Sequence, residues 1–106
     1  MPGRPFYVTE ESGHTTCAAD VEPDGSLQNF RLFANRGGEN VASDAAGNVY
    51  IADGEIYVYD RNGQWIDTIR VPERPVQMVF GGADGKTMFI AARSSLYALR
   101  MRYAGP

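Results

Sequence analysis

Gly47-Asn48-Val49-Tyr50-Ile51-Ala52 returns 39 residues later as Lys86-Thr87-Met88-Phe89-Ile90-Ala91, with Tyr50 falling on Phe89. Ile56-Tyr57-Val58-Tyr59 then matches Leu96-Tyr97-Ala98-Leu99 at a shift of 40. Upstream, Phe6-Tyr7-Val8 echoes Val49-Tyr50-Ile51 at a shift of 43, and Asp20 echoes Asp60 at 40. A period of about 40 residues, each copy built from short β-type runs, is the signature of a β-propeller blade.

The residues between the copies agree. No stretch of a dozen keeps apolar positions at the helical period, and 12 Gly and 6 Pro punctuate the chain. Runs rich in Val, Ile, Tyr and Phe predict strands at 6–9, 16–20, 28–34, 40–43, 48–52, 55–59, 65–71, 76–80, 87–91 and 95–102. Asp24-Gly25, Asp53-Gly54, Asn62-Gly63 and Asp84-Gly85 supply turns, since glycine accepts the positive φ of tight hairpins. The expected class is all-β, an antiparallel β-meander forming about two and a half blades of a propeller. The middle copy, 36–73, has four strands and is a complete blade. Copies 1–35 and 74–106 are incomplete blades, the first starting at its second strand and the last stopping after its third. Such a chain leaves open strand edges, and open edges invite pairing.

Composition narrows the function. The 106 residues hold 13 acids against 10 Lys and Arg, a formal charge of −3. That balance opposes nucleic-acid binding, which calls for a basic stripe. The charge is uneven: up to Gln28 the acids Glu10, Glu11, Asp20, Glu22 and Asp24 face Arg4 alone. From Lys86 onward, Lys86, Arg93, Arg100 and Arg102 meet no acid. This reads either as two solvated faces or as an acidic end that meets a basic one, within the fold or between chains. Single copies of Cys17 and His14 exclude a disulfide framework and Cys-based zinc clusters. No apolar run reaches the length of a membrane span and no signal-peptide pattern opens the chain, so a soluble domain without membrane contact is expected.

From Leu32 onward a family resemblance enters. It is carried by Leu32-Phe33-Ala34, Gly37-Gly38-Glu39-Asn40-Val41-Ala42-Ser43-Asp44-Ala45-Ala46-Gly47-Asn48 and Tyr57-Val58-Tyr59-Asp60. It continues through Ile69-Arg70-Val71-Pro72 and Phe80-Gly81-Gly82-Ala83-Asp84 to Leu96-Tyr97. Together these resemble the C-terminal portion of the regucalcin/gluconolactonase family, six-bladed propellers that hydrolyse sugar lactones and related esters with a divalent metal. The resemblance puts Glu39 at a metal-ligand position, where aspartate is commoner, and makes it the general base. Its carboxylate is a hard oxygen donor suited to Ca²⁺, Mg²⁺ or Mn²⁺. The family's other ligands, a glutamate and an asparagine, have no counterpart in this sequence. One carboxylate cannot hold a cation that wants ~6–8 oxygens. The resemblance therefore implies a lactone hydrolase inactive as a monomer, with a metal bound only if the channel is completed. Read alone, Glu39 is equally a solvated acid ahead of a strand.

Other residues carry less. Asp44 reads as a turn aspartate rather than a ligand. Ser12 and His14 read as loop residues, with no acid spaced to orient the imidazole. Cys17, beside Ala18 and Ala19, reads as a small buried residue. Gly81, Gly82 and Gly85 precede no helix and make no phosphate cradle. Tyr50, Tyr57, Tyr59, Trp65, Phe80 and Phe89 read as packing between blades. Three functional classes remain: a lactonase active only in a complete ring, a non-enzymatic module whose open blade edges drive homo-oligomers, and a protein-binding propeller of the NHL type.

Overall fold

Four turn aspartates use their side chains to seed a reversal of the chain. Asp24, Asp44, Asp60 and Asp84 all accept a hydrogen bond at 2.9 Å from the backbone N–H two residues on, the Asx-turn pattern. At the strand-connecting glycines Gly25, Gly54, Gly63 and Gly85, φ is 88°, 83°, 83° and 72°, as the turn pairs predict.

The computed structural model describes residues 4–10 and 12–106. Its ten strands are β1 (Phe6–Glu10), β2 (Thr15–Val21), β3 (Leu27–Ala34), β4 (Asn40–Ser43) and β5 (Val49–Asp53), then β6 (Glu55–Tyr59), β7 (Trp65–Ile69), β8 (Pro75–Gly81), β9 (Thr87–Ala92) and β10 (Leu96–Arg100). They form three antiparallel meanders ordered β1-β2-β3, β4-β5-β6-β7 and β8-β9-β10. The all-β partial propeller expected from the repeats is the observed architecture. Strand ends shift by a residue or two. The predicted 65–71 strand closes at Ile69, ahead of Pro72, which has no N–H to give. The predicted 95–102 strand closes at Arg100, after which the Met101 N–H turns to the Lys86 carbonyl at 2.7 Å.

The three sheets stack in chain order. Val49 and Ile51 of β5 pack with Tyr59 and Ala34 against Tyr7 and Phe33 of the first sheet. Tyr50 and Ala52, pointing the other way, pack with Ile56 and Val58 against Met78, Met88 and Ile90 of the third. Alternation along a strand places successive side chains on opposite faces, so β5 is buried on both. Edge-to-face contacts link the layers, with Phe33–Tyr59 centroids 6.0 Å apart and Tyr50–Phe80 5.7 Å apart. The Arg36 guanidinium stacks 3.7 Å above the Tyr57 ring and 4.2 Å from that of Trp65.

Two expectations need correction. Cys17 is only half-buried: it shares a register row with Val8 and Leu32 on the first sheet's far face, which no other sheet covers. Trp65 and Phe89 are exposed rather than packed between blades. Trp65 lies on the outer strand β7, and Phe89 on the far face of the third sheet.

Asp44 ties the middle sheet together. Its carboxylate is fully buried. One oxygen accepts the Ala46 and Asn48 N–H groups at 2.9 and 3.0 Å; the other accepts the Asn48 amide at 3.0 Å and the Tyr50 hydroxyl at 2.7 Å. Asp44 is thus the turn aspartate read from the sequence. Burial, followed by the hydrogen bond to Asp44 and its charge, pushes the Tyr50 hydroxyl far above its ordinary pKa of 10.0.

Asp44→Ala leaves several buried donors unpaired at ~1–3 kcal/mol each. The expected loss is about 3 kcal/mol or more, measured by urea unfolding. Asp60→Ala, which removes an exposed copy of the same turn, is expected to cost less than ~1 kcal/mol. For Tyr50 the folded state holds its proton more tightly than the unfolded chain. Its contribution to stability is therefore complete below pH 10 and lost as pH rises beyond it. Tyr50→Phe is expected to reduce that alkaline slope.

Candidate functional site

Glu39 precedes β4, the innermost strand of the middle sheet, and its N–H donates to the Ala52 carbonyl at 3.2 Å. That bond holds the residue at the end of the stack where β5 finishes. Arg74 stands one residue ahead of β8 in the third sheet. The two side chains meet. Arg74 Nε lies 3.0 Å and its NH2 group 2.8 Å from the same Glu39 oxygen. The Glu39 side chain keeps 23% of its surface exposed. Arg93 and Val76 complete a cavity of about 370 Å³ with these two residues. Beside it, the Asn40 carboxamide oxygen accepts the Met78 N–H at 3.0 Å, pinning β4 to β8.

The adjacent Glu73 is occupied. Its carboxylate accepts the Ser94 hydroxyl at 2.5 Å, the Ser94 N–H at 3.0 Å and the Tyr97 hydroxyl at 3.0 Å. These bonds, Ser94 foremost, hold its pKa down at about 2. Glu73 thus anchors the turn between β9 and β10 to the approach to β8.

A divalent metal does not fit this set of residues. Among the described residues no three His, Cys, Asp or Glu side chains gather as a metal would need. The carboxylate read as a ligand is neutralised by a guanidinium, and a hard cation wants ~6–8 oxygens. Chemically, one carboxylate and two arginines make a cavity of net positive charge.

The other sequence candidates scatter. Asp44 lies at the opposite end of β4 and is consumed by its four hydrogen bonds. Ser12 donates to Glu10 at 3.0 Å. His14 is 60% exposed, with Nδ1 at 3.3 Å from an Asp53 oxygen. The sequence reading found no acid for His14, whereas the fold supplies one from 39 residues away. Asp53's other oxygen accepts the Gly37 N–H at 3.1 Å, so this pair braces the first sheet against the loop leading to Glu39. No Ser–His–Asp arrangement forms among the described residues. Arg74 was also missed. The repeat gives no signal for it, because its shift of 39 carries Glu39 past Arg74 to Met78.

Solved structures share this architecture. A protein described as a gluconolactonase superposes with a TM-score of 0.84 at 16% identity over 95% of this chain and 36% of its own. A calcium-binding protein, regucalcin from Agrobacterium tumefaciens strain C58, superposes with a TM-score of 0.81 at 18% identity over 98% and 44%. The chain therefore spans less than half the length of either, and identities this low speak for the fold alone. No curated protein sequence matches it. The model of the SMP-30/gluconolactonase/LRE-like region matches residues 2–94. A match over most of the chain agrees with the repeat and the three stacked sheets, and on it the chain belongs to the SMP-30/gluconolactonase/LRE-like family.

Proposed function

We propose that this chain forms part of the channel of a hydrolase acting on sugar lactones and related esters, and that alone it is not a competent enzyme. Family membership supports the reaction class. The observation that carries the rest is the state of Glu39. It stands at the head of an innermost strand, where the resemblance expects the ligand and base, yet its carboxylate is held by Arg74 with no second acid beside it. Ca²⁺, Mg²⁺ or Mn²⁺ would need oxygens from outside this chain and the withdrawal of Arg74. The same ion pair favours a second reading, in which the chain is a non-enzymatic propeller module and Glu39 clamps two sheets.

The purified chain is expected to hydrolyse gluconolactone no faster than buffer, with or without Ca²⁺ or Mn²⁺. Saturable turnover that Glu39→Gln abolishes would overturn the inactivity of the isolated chain. Freeing the carboxylate tests its ligand character. Arg74→Ala is expected to tighten Mn²⁺ binding about threefold to tenfold, that is by roughly 1 kcal/mol. Adding Glu39→Gln is expected to reverse the gain, both read from paramagnetic line broadening. Equal Mn²⁺ affinity in all three proteins would remove Glu39 from the ligand set and leave the clamp.

A further inference from the structure

We infer that the end of the stack opposite Glu39 holds a binding site for the phosphate group of a small molecule, built around Arg4 and Arg61. The site is separate from the Glu39 cavity, and the inference stands whether or not the chain serves a hydrolase.

Three segments converge there. Arg4 and Pro5 lead into β1, residues 44–48 turn from β4 into β5, and Arg61 and Asn62 lie in the turn from β6 into β7. With Tyr7 they line a cavity of about 510 Å³, within the range of small-molecule sites, about 300–1,000 Å³.

Both guanidiniums are placed by the fold. Arg4 donates to the Asp44 carbonyl at 3.4 Å and to the Ala45 carbonyl at 3.3 Å. Neutral acceptors tie it to the turn and leave its charge uncompensated. The Arg61 stem crosses Gly47, where a Cβ would stand 3.3 Å from the Arg61 Cβ and 3.9 Å from its Nε. Gly47 has a φ of 90°, so this turn needs glycine for its conformation and for the approach of Arg61.

The lining supplies donors and no opposing charge. Among the described residues around the cavity none is an acid, and neither Arg4 nor Arg61 forms an ion pair with a described residue. The carboxylates of the two turns are spent within them: Asp44 accepts its four hydrogen bonds, and Asp60 accepts the Asn62 and Gln64 N–H groups. Asp20 and Glu22 line a different cavity beside Arg4, and Asp20 is held by Arg31 at 3.1 Å. Tyr7 contributes its hydroxyl and Asn62 its carboxamide. Burial raises the Tyr7 pKa above 10.0, with Arg31 opposing the rise, so the hydroxyl keeps its proton and can donate it.

Charge and shape select phosphate. Two like charges facing one cavity are satisfied by an anion that bridges them. A phosphate monoester carries about −1.5 to −2 charge at neutral pH and three acceptor oxygens, which suits two guanidiniums arriving from different segments. A carboxylate offers two coplanar oxygens, which a single guanidinium fork fills. The second arginine would then stay unpaired. The remaining volume leaves room for the body of the molecule along Pro5 and Tyr7.

The test is titration of the chain near neutral pH with glycerol phosphate, inorganic phosphate, glycerate and glycerol, read by calorimetry and by amide chemical shifts. Saturable one-to-one binding of glycerol phosphate is expected, with the shifts centred on residues 44–48 and 60–63. Arg4→Gln and Arg61→Gln should each weaken it about tenfold, the loss of one charge-assisted contact. Arg61→Lys, which keeps the charge and loses the fork, should weaken it less and replaces Arg61→Gln if that variant fails to fold. Arg70→Gln, beyond the other end of β7, makes the same charge change and should leave the affinity as it was. Inorganic phosphate binding as tightly as the ester would support the site with the free ion as its occupant; weaker binding would support it with the ester. Glycerate binding as tightly as glycerol phosphate would overturn the inference. So would the absence of saturable phosphate binding, or equal weakening by Arg61→Gln and Arg70→Gln.

Discussion

Burial of β5 on both faces is the constraint from which the rest follows. A strand inside one sheet can leave one face to water. Val49, Tyr50, Ile51 and Ala52 are all buried, so this strand requires a sheet on either side. The first and third sheets meet that requirement, and the two hydrophobic clusters share the middle sheet between them. Asp44 then sets how β5 begins. Its carboxylate ties the turn before the strand to Tyr50 within it, so backbone reversal and side-chain packing are fixed at one point. Glu39 owes its place to the same arrangement, because the strand it precedes is paired to β5 throughout.

Much of this was legible. Turn aspartates and glycines act locally, within two or four residues, and their chemistry can be read directly. The recurrence of short β-type runs at about 40 residues announced the blades. Glu39 could be placed at the head of an inner strand because position within a repeat is a sequence property. What escaped reading depends on distance. Nothing near His14 names Asp53, and nothing near Glu39 names Arg74. Cys17 was misread for a different reason. Its neighbours resemble those of a core strand, but whether its face is covered depends on what stands beside the end sheet, which no local pattern records.

The site departs from the family expectation in its charge. The Glu39 carboxylate is held here by a guanidinium, and a second arginine lines the same cavity. Arg74 holds Glu39 in one geometry and links two sheets, and the same contact occupies one of the acid's oxygens. Stabilisation of the stack and readiness for chemistry therefore oppose each other at this residue.

The layered packing also shapes how the molecule opens. In a stack of repeats each sheet draws stability from its own strands and from its immediate neighbours. The middle sheet has two such neighbours and each end sheet one. Local opening should therefore be graded rather than uniform, with amides of β5 and β6 exchanging with solvent slowest and those of β1 and β10 fastest. An end sheet that lets go uncovers one face of β5, so the loss of either flank weakens the centre.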